Sequence, residues 1–145
     1  MLALACAGSA AQAQAYPVKP IRLIVGFTPS GGVDINARLF GPQLTEYLGQ
    51  PIIVENRPGA GTNIANELVA KSAPDGYTLL INTAALAINL SLYNKVPYEA
   101  RDFTPISVLS MAPNILVVHS SVPVKSVKEF VALAKSRPGQ LNYSS

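Results

Sequence analysis

The chain has 145 residues, 49% apolar and 13% charged, and carries a net charge of +3. That balance excludes a disordered segment and leaves room for a sizeable core. Its Lys and Arg are scattered rather than clustered, so they give no nucleic-acid footprint and only mildly favour anionic ligands.

Residues 1–15 carry no charge and pass from an apolar stretch, residues 2–7, into Ala10-Ala11-Gln12-Ala13-Gln14-Ala15. This reads as the later part of a secretory signal lacking its basic n-region, with Ala13 and Ala15 at the cleavage positions and a mature start at Tyr16. The segment is too short to span a membrane. Cys6, the only cysteine, lies inside it, so no disulfide is expected in the mature chain. A lipid-attachment reading of Leu4-Ala5-Cys6 competes with the peptidase reading, but Ala3 stands where such sites usually carry leucine.

Residues 21–27 read as a buried strand and residues 34–48 as a helix burying Ala37, Leu44 and Leu48. A kink is expected at Gly41-Pro42 and a C-cap at Gly49. A second strand covers residues 52–55. A second helix follows over residues 62–72 with Ile64, Leu68 and Val69 as its stripe, then the turn Ala73-Pro74-Asp75-Gly76 and a third strand over residues 77–82. Residues 87–104 are irregular, with Tyr93, Tyr98 and Phe103 packing a long connection. Beyond them come strand-like residues 106–109 and 115–119, and a helix over residues 127–136 with Ser126 as N-cap and Phe130, Leu133 and Ala134 inward. Leu141-Asn142-Tyr143 opens another strand, and with no helix after it the order reads as an incomplete domain.

Strands alternating with helices predict right-handed crossovers and a parallel sheet, hence an α/β fold. Its strand-to-helix loops, residues 28–33, 56–62 and 82–87, then emerge at one carboxyl edge, where open α/β sheets bind ligands. They offer backbone N–H groups, the hydroxyls of Thr28, Ser30, Thr62 and Thr83, the amides of Asn63 and Asn82, and one cation, Arg57. That lining suits a small carboxylate held by neutral dipoles.

The glycine run Gly26-Phe27-Thr28-Pro29-Ser30-Gly31-Gly32 has phosphate-loop spacing, but Gly32-Val33 stand where lysine and Ser/Thr should be. Gly59-Ala60-Gly61-Thr62-Asn63-Ile64 begins like a dinucleotide fingerprint and fails at Ile64. Each glycine has an ordinary turn explanation, and Asp34 one as an N-cap or first-turn carboxylate. The single histidine, His119, closes the apolar run Ile115-Leu116-Val117-Val118 and offers neither a metal set nor a triad.

Several long motifs carry a resemblance over residues 16–145. Tyr16-Pro17-Val18-Lys19-Pro20-Ile21-Arg22, the glycine loop running into Asp34-Ile35-Asn36-Ala37-Arg38, and Val54-Glu55-Asn56-Arg57-Pro58-Gly59-Ala60-Gly61 are three of them. Ala73-Pro74-Asp75-Gly76-Tyr77-Thr78-Leu79-Leu80 and Pro138-Gly139-Gln140-Leu141-Asn142-Tyr143 complete the set. In this order they resemble the extracytoplasmic substrate-binding proteins of tripartite tricarboxylate transporters, the Bug family.

The resemblance implies a periplasmic binding protein-like fold of the type II, flytrap kind, here as an incomplete two-lobed fold. Lobe 1 would cover residues 16–118 and the start of lobe 2 residues 119–145, with the crossover near residues 118–122. It implies capture of a small organic carboxylate in the periplasm for transporter membrane subunits, by a monomer without cofactor, metal or catalysis. Carried over by position, the ligand-binding residues are Thr28, Pro29, Ser30, Gly31, Gly32 and Asp34 in the first loop. Asn82, Thr83, Ala84 and Ala85 form the second set, and Ser144 and Ser145 begin the second lobe's share. Ser30 replaces a glycine common among relatives, and Thr83-Ala84-Ala85 is less polar than the usual Thr-Ser-Gly. A nucleotide-dependent α/β enzyme domain and a carboxylate sensor feeding a signalling receptor are the competing readings.

Overall fold

The computed structural model describes residues 15–113 and 115–142. The chain divides into two compact units, the first ending at Ser110 and the second beginning at Met111.

In the first unit, β1 (Ile21–Val25) is the central strand of a three-stranded parallel sheet, flanked by β2 (Ile52–Asn56) and β3 (Thr78–Ile81) in the order β2-β1-β3. Central placement explains why β1 is a near-continuous apolar run, since both of its faces are covered. Leu23 sits opposite Val54 on one side and Leu79 on the other. That face, with Val25 and Ile81, packs on Ala37 of α1 (Gly32–Leu48). Burying each of these larger side chains contributes about 1.5–3 kcal/mol. On the opposite face Ile24 is fully buried, and Gly26 lets α2 (Asn63–Ala70) come close: a Cβ there would stand 2.8 Å from Thr62 Cβ and 3.3 Å from Ala65 Cβ.

α1 starts two residues earlier than expected, which puts Asp34 in its first turn, and it continues through Pro42 as one element. Thr45 secures the following turn, donating to the Gly41 carbonyl at 2.9 Å and accepting from Ile52 N–H at 3.0 Å. Gly49 caps the helix as expected, with φ 67° and its N–H on the Thr45 carbonyl.

Several expectations need correction. Of the stripe expected on α2, Leu68 and Val69 are half-buried but Ile64 is half exposed, and Asn63, Ala65 and Asn66 carry the inward side, because the helix is entered through a 3-10 turn, Ala60–Thr62, whose hydroxyl engages Asn66. Residues 85–92, mostly read as irregular, form α3 (Ala85–Leu92); its alternating sequence Ala-Leu-Ala-Ile-Asn-Leu-Ser-Leu hides the helical period, and its N-cap residue, Ala84, makes no side-chain hydrogen bond. Residues 106–109 and 115–119 are not strands among the described residues. A strand exists only as part of a ladder, and no described segment pairs with them, so Ile106, Val108, Ile115 and Val117 are exposed.

The second unit contains α4 (Val127–Ser136) with its start and inner face as expected. Ser126 Oγ accepts from Glu129 N–H at 3.2 Å, and the Glu129 carboxylate accepts from Lys125 N–H at 2.8 Å. Phe130, Leu133 and Ala134 are its half-buried positions. Leu141 and Asn142 are not in a strand, and Tyr143 lies outside the described residues.

Candidate functional site at the carboxyl edge of the sheet

The parallel sheet brings the three strand-to-helix loops to one edge, where an ion pair with its hydrogen bonds holds the first and a shared network of amides and hydroxyls joins the second and third. In the first loop Ser30 has φ 68°, and its N–H donates to Asp34 Oδ2 at 2.8 Å. Asp34 is only 2% exposed, and both of its oxygens are occupied. Arg38 Nε approaches them at 3.0 and 3.1 Å, and Asn56 Nδ2 donates to Oδ1 at 2.8 Å. Asn56 also donates to the Phe27 carbonyl at 3.1 Å and accepts from Arg38 Nη2 at 3.0 Å, so β2 is tied to the loop as well. The Arg38 hydrogen bond, then the Ser30 N–H and the Asn56 amide, hold the Asp34 carboxyl at about 2, below its ordinary 3.8.

Above this clasp the loop is open. Thr28, Pro29, Ser30 and Gly32 are exposed, Gly31 is half-buried, and a Cβ built on Gly32 would meet nothing within 4 Å. The first-turn N–H groups of α1 have no intrahelical acceptor, and the positive end of its dipole lies at the same place. The loop therefore presents N–H and hydroxyl donors, while its one carboxylate is neutralised beneath them.

The second loop, between β2 and α2, has four successive residues at positive φ: Gly59 at 128°, Ala60 at 48°, Gly61 at 61° and Thr62 at 80°. Arg57, the cation that the sequence puts here, pairs with Glu55 at 3.1 Å. Glu55 is gripped at 2.7 and 2.9 Å by Arg22 of the neighbouring strand, and the Arg22 hydrogen bond is the main reason its carboxyl is lowered to about 2.

The third loop follows β3. Asn82 Oδ1 accepts from Thr83 N–H at 2.8 Å, and Thr83 Oγ1 accepts from Ala85 N–H at 3.2 Å. The Asn82 amide turns toward the second loop, donating to Asn66 Oδ1 at 2.6 Å and reaching Thr62 Oγ1 at 3.4 Å. Asn63 likewise accepts from Asn89 and Tyr98. These two amides, read from sequence as lining, are engaged in a buried network. Thr83 and Ala84 remain exposed and Ala85 half-buried. Ser144 and Ser145 lie outside the described residues.

Residues that sequence reasoning missed are Arg38, Asn56, Asn66, Asn89 and Tyr98. Arg38 had a signal, its position four residues after Asp34 on one helix face. Among the described residues no three His, Cys, Asp or Glu side chains converge as a metal site. A surface cleft of about 340 Å³ lies away from the loops, between α1 and β2. Its walls include Gly41, Pro42, Ile52 and Val54, and its one cation, Arg38, is already engaged with Asp34. It offers no convergent polar set.

Comparison with known proteins gives a consistent result. The family model described as tripartite tricarboxylate transporter family receptor matches residues 36–145. Protein BugT of Bordetella pertussis is 41% identical over 146 residues, which are 97% of this chain and 45% of BugT. Among solved structures, R. palustris Rpa4515 with adipate is 39% identical with a TM-score of 0.75, covering 88% of this chain and 43% of that one. MatC (Rpa3494) from Rhodopseudomonas palustris with bound malate is 36% identical with a TM-score of 0.68, covering 83% and 42%. The chain thus spans less than half the length of the relatives it matches.

Proposed function

The chain belongs to the tripartite tricarboxylate transporter receptor family, and on that premise we propose that the protein carrying it captures a small organic carboxylate in the periplasm and delivers it to transporter membrane subunits. The observation that carries this reading is the first loop, an open array of N–H and hydroxyl donors at a helix start whose only carboxylate is neutralised by Arg38, Ser30 and Asn56. A bound carboxylate there meets donors and no competing negative charge. Thr28, Ser30, Gly31 and Gly32 are the contacts in this reading, with Thr83, Ala84 and Ala85 from the third loop. Asp34 and Asn82 shape the two loops from below. Binding of adipate and malate by two relatives of this fold supports the ligand class.

The relatives are receptors, and the enzyme reading is set aside. In the two-lobed reading, residues 16–118 belong to lobe 1 and residues 119–145 begin lobe 2, with Ser144 and Ser145 opening the second lobe's share of the site. Export rests on residues 1–15, and no helix among the described residues is long and apolar enough to cross a membrane. A thermal-shift and calorimetric series with dicarboxylates, tricarboxylates and aromatic acids tests the ligand class. Stabilisation by at least one carboxylate that scales with its concentration is expected; none with any of them ends the proposal.

A further inference from the structure

The second loop is the most strained part of the described chain, and the structure shows what holds it. Ala60 and Thr62 are not glycines, and left-handed backbone at such residues costs about 1–2 kcal/mol each. Such conformations persist only where the surroundings over-determine them. Asn89 Nδ2 donates to the Gly61 carbonyl at 2.6 Å and to Asn63 Oδ1 at 2.9 Å. Asn66 Nδ2 donates to Thr62 Oγ1 at 3.3 Å and to the Tyr98 hydroxyl at 3.0 Å. The Tyr98 hydroxyl donates to Asn63 Oδ1 at 3.0 Å, with the Leu86 carbonyl 3.3 Å away. Through Asn66 Oδ1 and the Asn82 amide the same network reaches Thr83 N–H in the third loop.

Asn66 is fully buried, and Asn89 and Tyr98 are each 4% exposed. None of the three lies in the loops that offer donors at the sheet edge. Among the described residues no fully buried side-chain nitrogen or oxygen lacks a partner, so the network is complete without a ligand. A half-satisfied network would destabilise the fold; a complete one fixes geometry.

We infer that Asn66, Asn89 and Tyr98 are positioning residues of the binding site, whose buried amide and hydroxyl network sets the second loop in its left-handed path and locks the third loop to it before ligand arrives. The inference rests on the carboxylate-capture reading for its functional meaning. A loosened network leaves the competent arrangement only partly populated, and apparent affinity falls by that fraction. The loss appears in the association rate, because the bound complex makes the same ligand contacts.

The test compares the whole protein with its Asn89→Ala, Asn66→Ala and Tyr98→Phe variants, using adipate and malate as probes, at a temperature where each variant is folded. Asn89→Ala is expected to weaken Kd about tenfold, chiefly through slower association, with dissociation changed less than about twofold. Tyr98→Phe keeps the ring against Phe103 and is expected to act about threefold in the same direction, so it decides the matter if an asparagine variant fails to fold. Amide exchange in the ligand-free protein should accelerate at Thr62 and Thr83 and stay unchanged in β1. A lowered Tm with unchanged association and unchanged exchange at those two amides overturns the inference. If the unmodified protein binds neither acid nor any other carboxylate, the capture reading fails, and the ligand-free exchange pattern still decides the positioning role.

Discussion

Two clasps hold the carboxyl-edge loops, and they use opposite chemistry. The first loop is held by an ion: the Asp34 carboxylate gathers Arg38, Ser30 N–H and Asn56 around one buried charge. The second and third loops are held by neutral groups, with Asn63, Asn66, Asn82, Asn89, Tyr98 and Thr62 exchanging hydrogen bonds and no charge. A charged clasp satisfies many donors with few residues and is tied to pH. A neutral clasp needs more residues and is not.

The largest effect is expected where the neutral clasp is densest. Asn66→Ala removes partners from Asn82, Thr62 and Tyr98 together, and leaving buried polar groups unpaired costs about 1–3 kcal/mol each before relaxation. A net loss of about 2–3 kcal/mol in unfolding free energy is expected. It should have the same size at pH 7 and pH 4, read by denaturant melts; a loss that depends on pH in this range breaks the comparison. Next comes Gly26→Ala, which sets a Cβ 2.8 Å from Thr62 Cβ and pushes the start of α2 away from β1. Overpacking of this kind costs about 1–3 kcal/mol. Its signature is faster amide exchange at Thr62 with the first loop untouched.

The charged clasp gives a smaller loss with a distinct pH profile. Asp34 in the folded protein titrates at about 2 against an ordinary 3.8, so its stabilisation is fully present above 3.8 and disappears as pH falls toward 2. Glu55 and Asp75 shift in the same direction, so the acid limb of the unmodified protein reports all three groups. The difference from Asp34→Asn isolates the first clasp. At pH 7 the variant should melt lower, and the gap should close between pH 4 and pH 2. A gap that stays constant to pH 2 refutes the ionic account.

The same contrast decides what the sequence reveals. β1, β2, β3, α1 and α4 are legible because apolar period, glycine caps and Ser126 all point the same way. The first clasp is half legible: Asp34 and Arg38 stand four apart, but only the parallel register brings Asn56 of β2 to them. The neutral clasp is nearly invisible. Asn66 and Asn89 are buried polar residues on helix faces, where an apolar-period argument turns them to solvent and takes Ile64 in their place. α3 fails for the same reason, since its inward residue is Asn89 and its leucines and isoleucine alternate like a strand. Residues 106–109 and 115–119 have strand composition, but composition cannot supply the neighbouring strand that a ladder requires.

The finest distinction between the clasps is expected at single left-handed residues. Ser30 at φ 68° and Ala60 at φ 48° have similar backbones, and glycine relieves that strain at either position. Ser30→Gly and Ala60→Gly should each raise unfolding free energy by up to about 1 kcal/mol. Their effects on ligand should differ. Ala60 has no polar side chain to lose, and the Asn89 and Asn66 bonds fix its neighbours, so Ala60→Gly should leave the affinity for a carboxylate unchanged. Ser30 carries an exposed hydroxyl on the open rim of the first loop, and in the capture reading that hydroxyl touches the ligand. Ser30→Gly should therefore weaken binding severalfold while the fold becomes more stable, measured by calorimetry and melting on the same samples. Stability and affinity rising together would mean that Ser30 serves only the turn and that the first loop binds through its backbone alone.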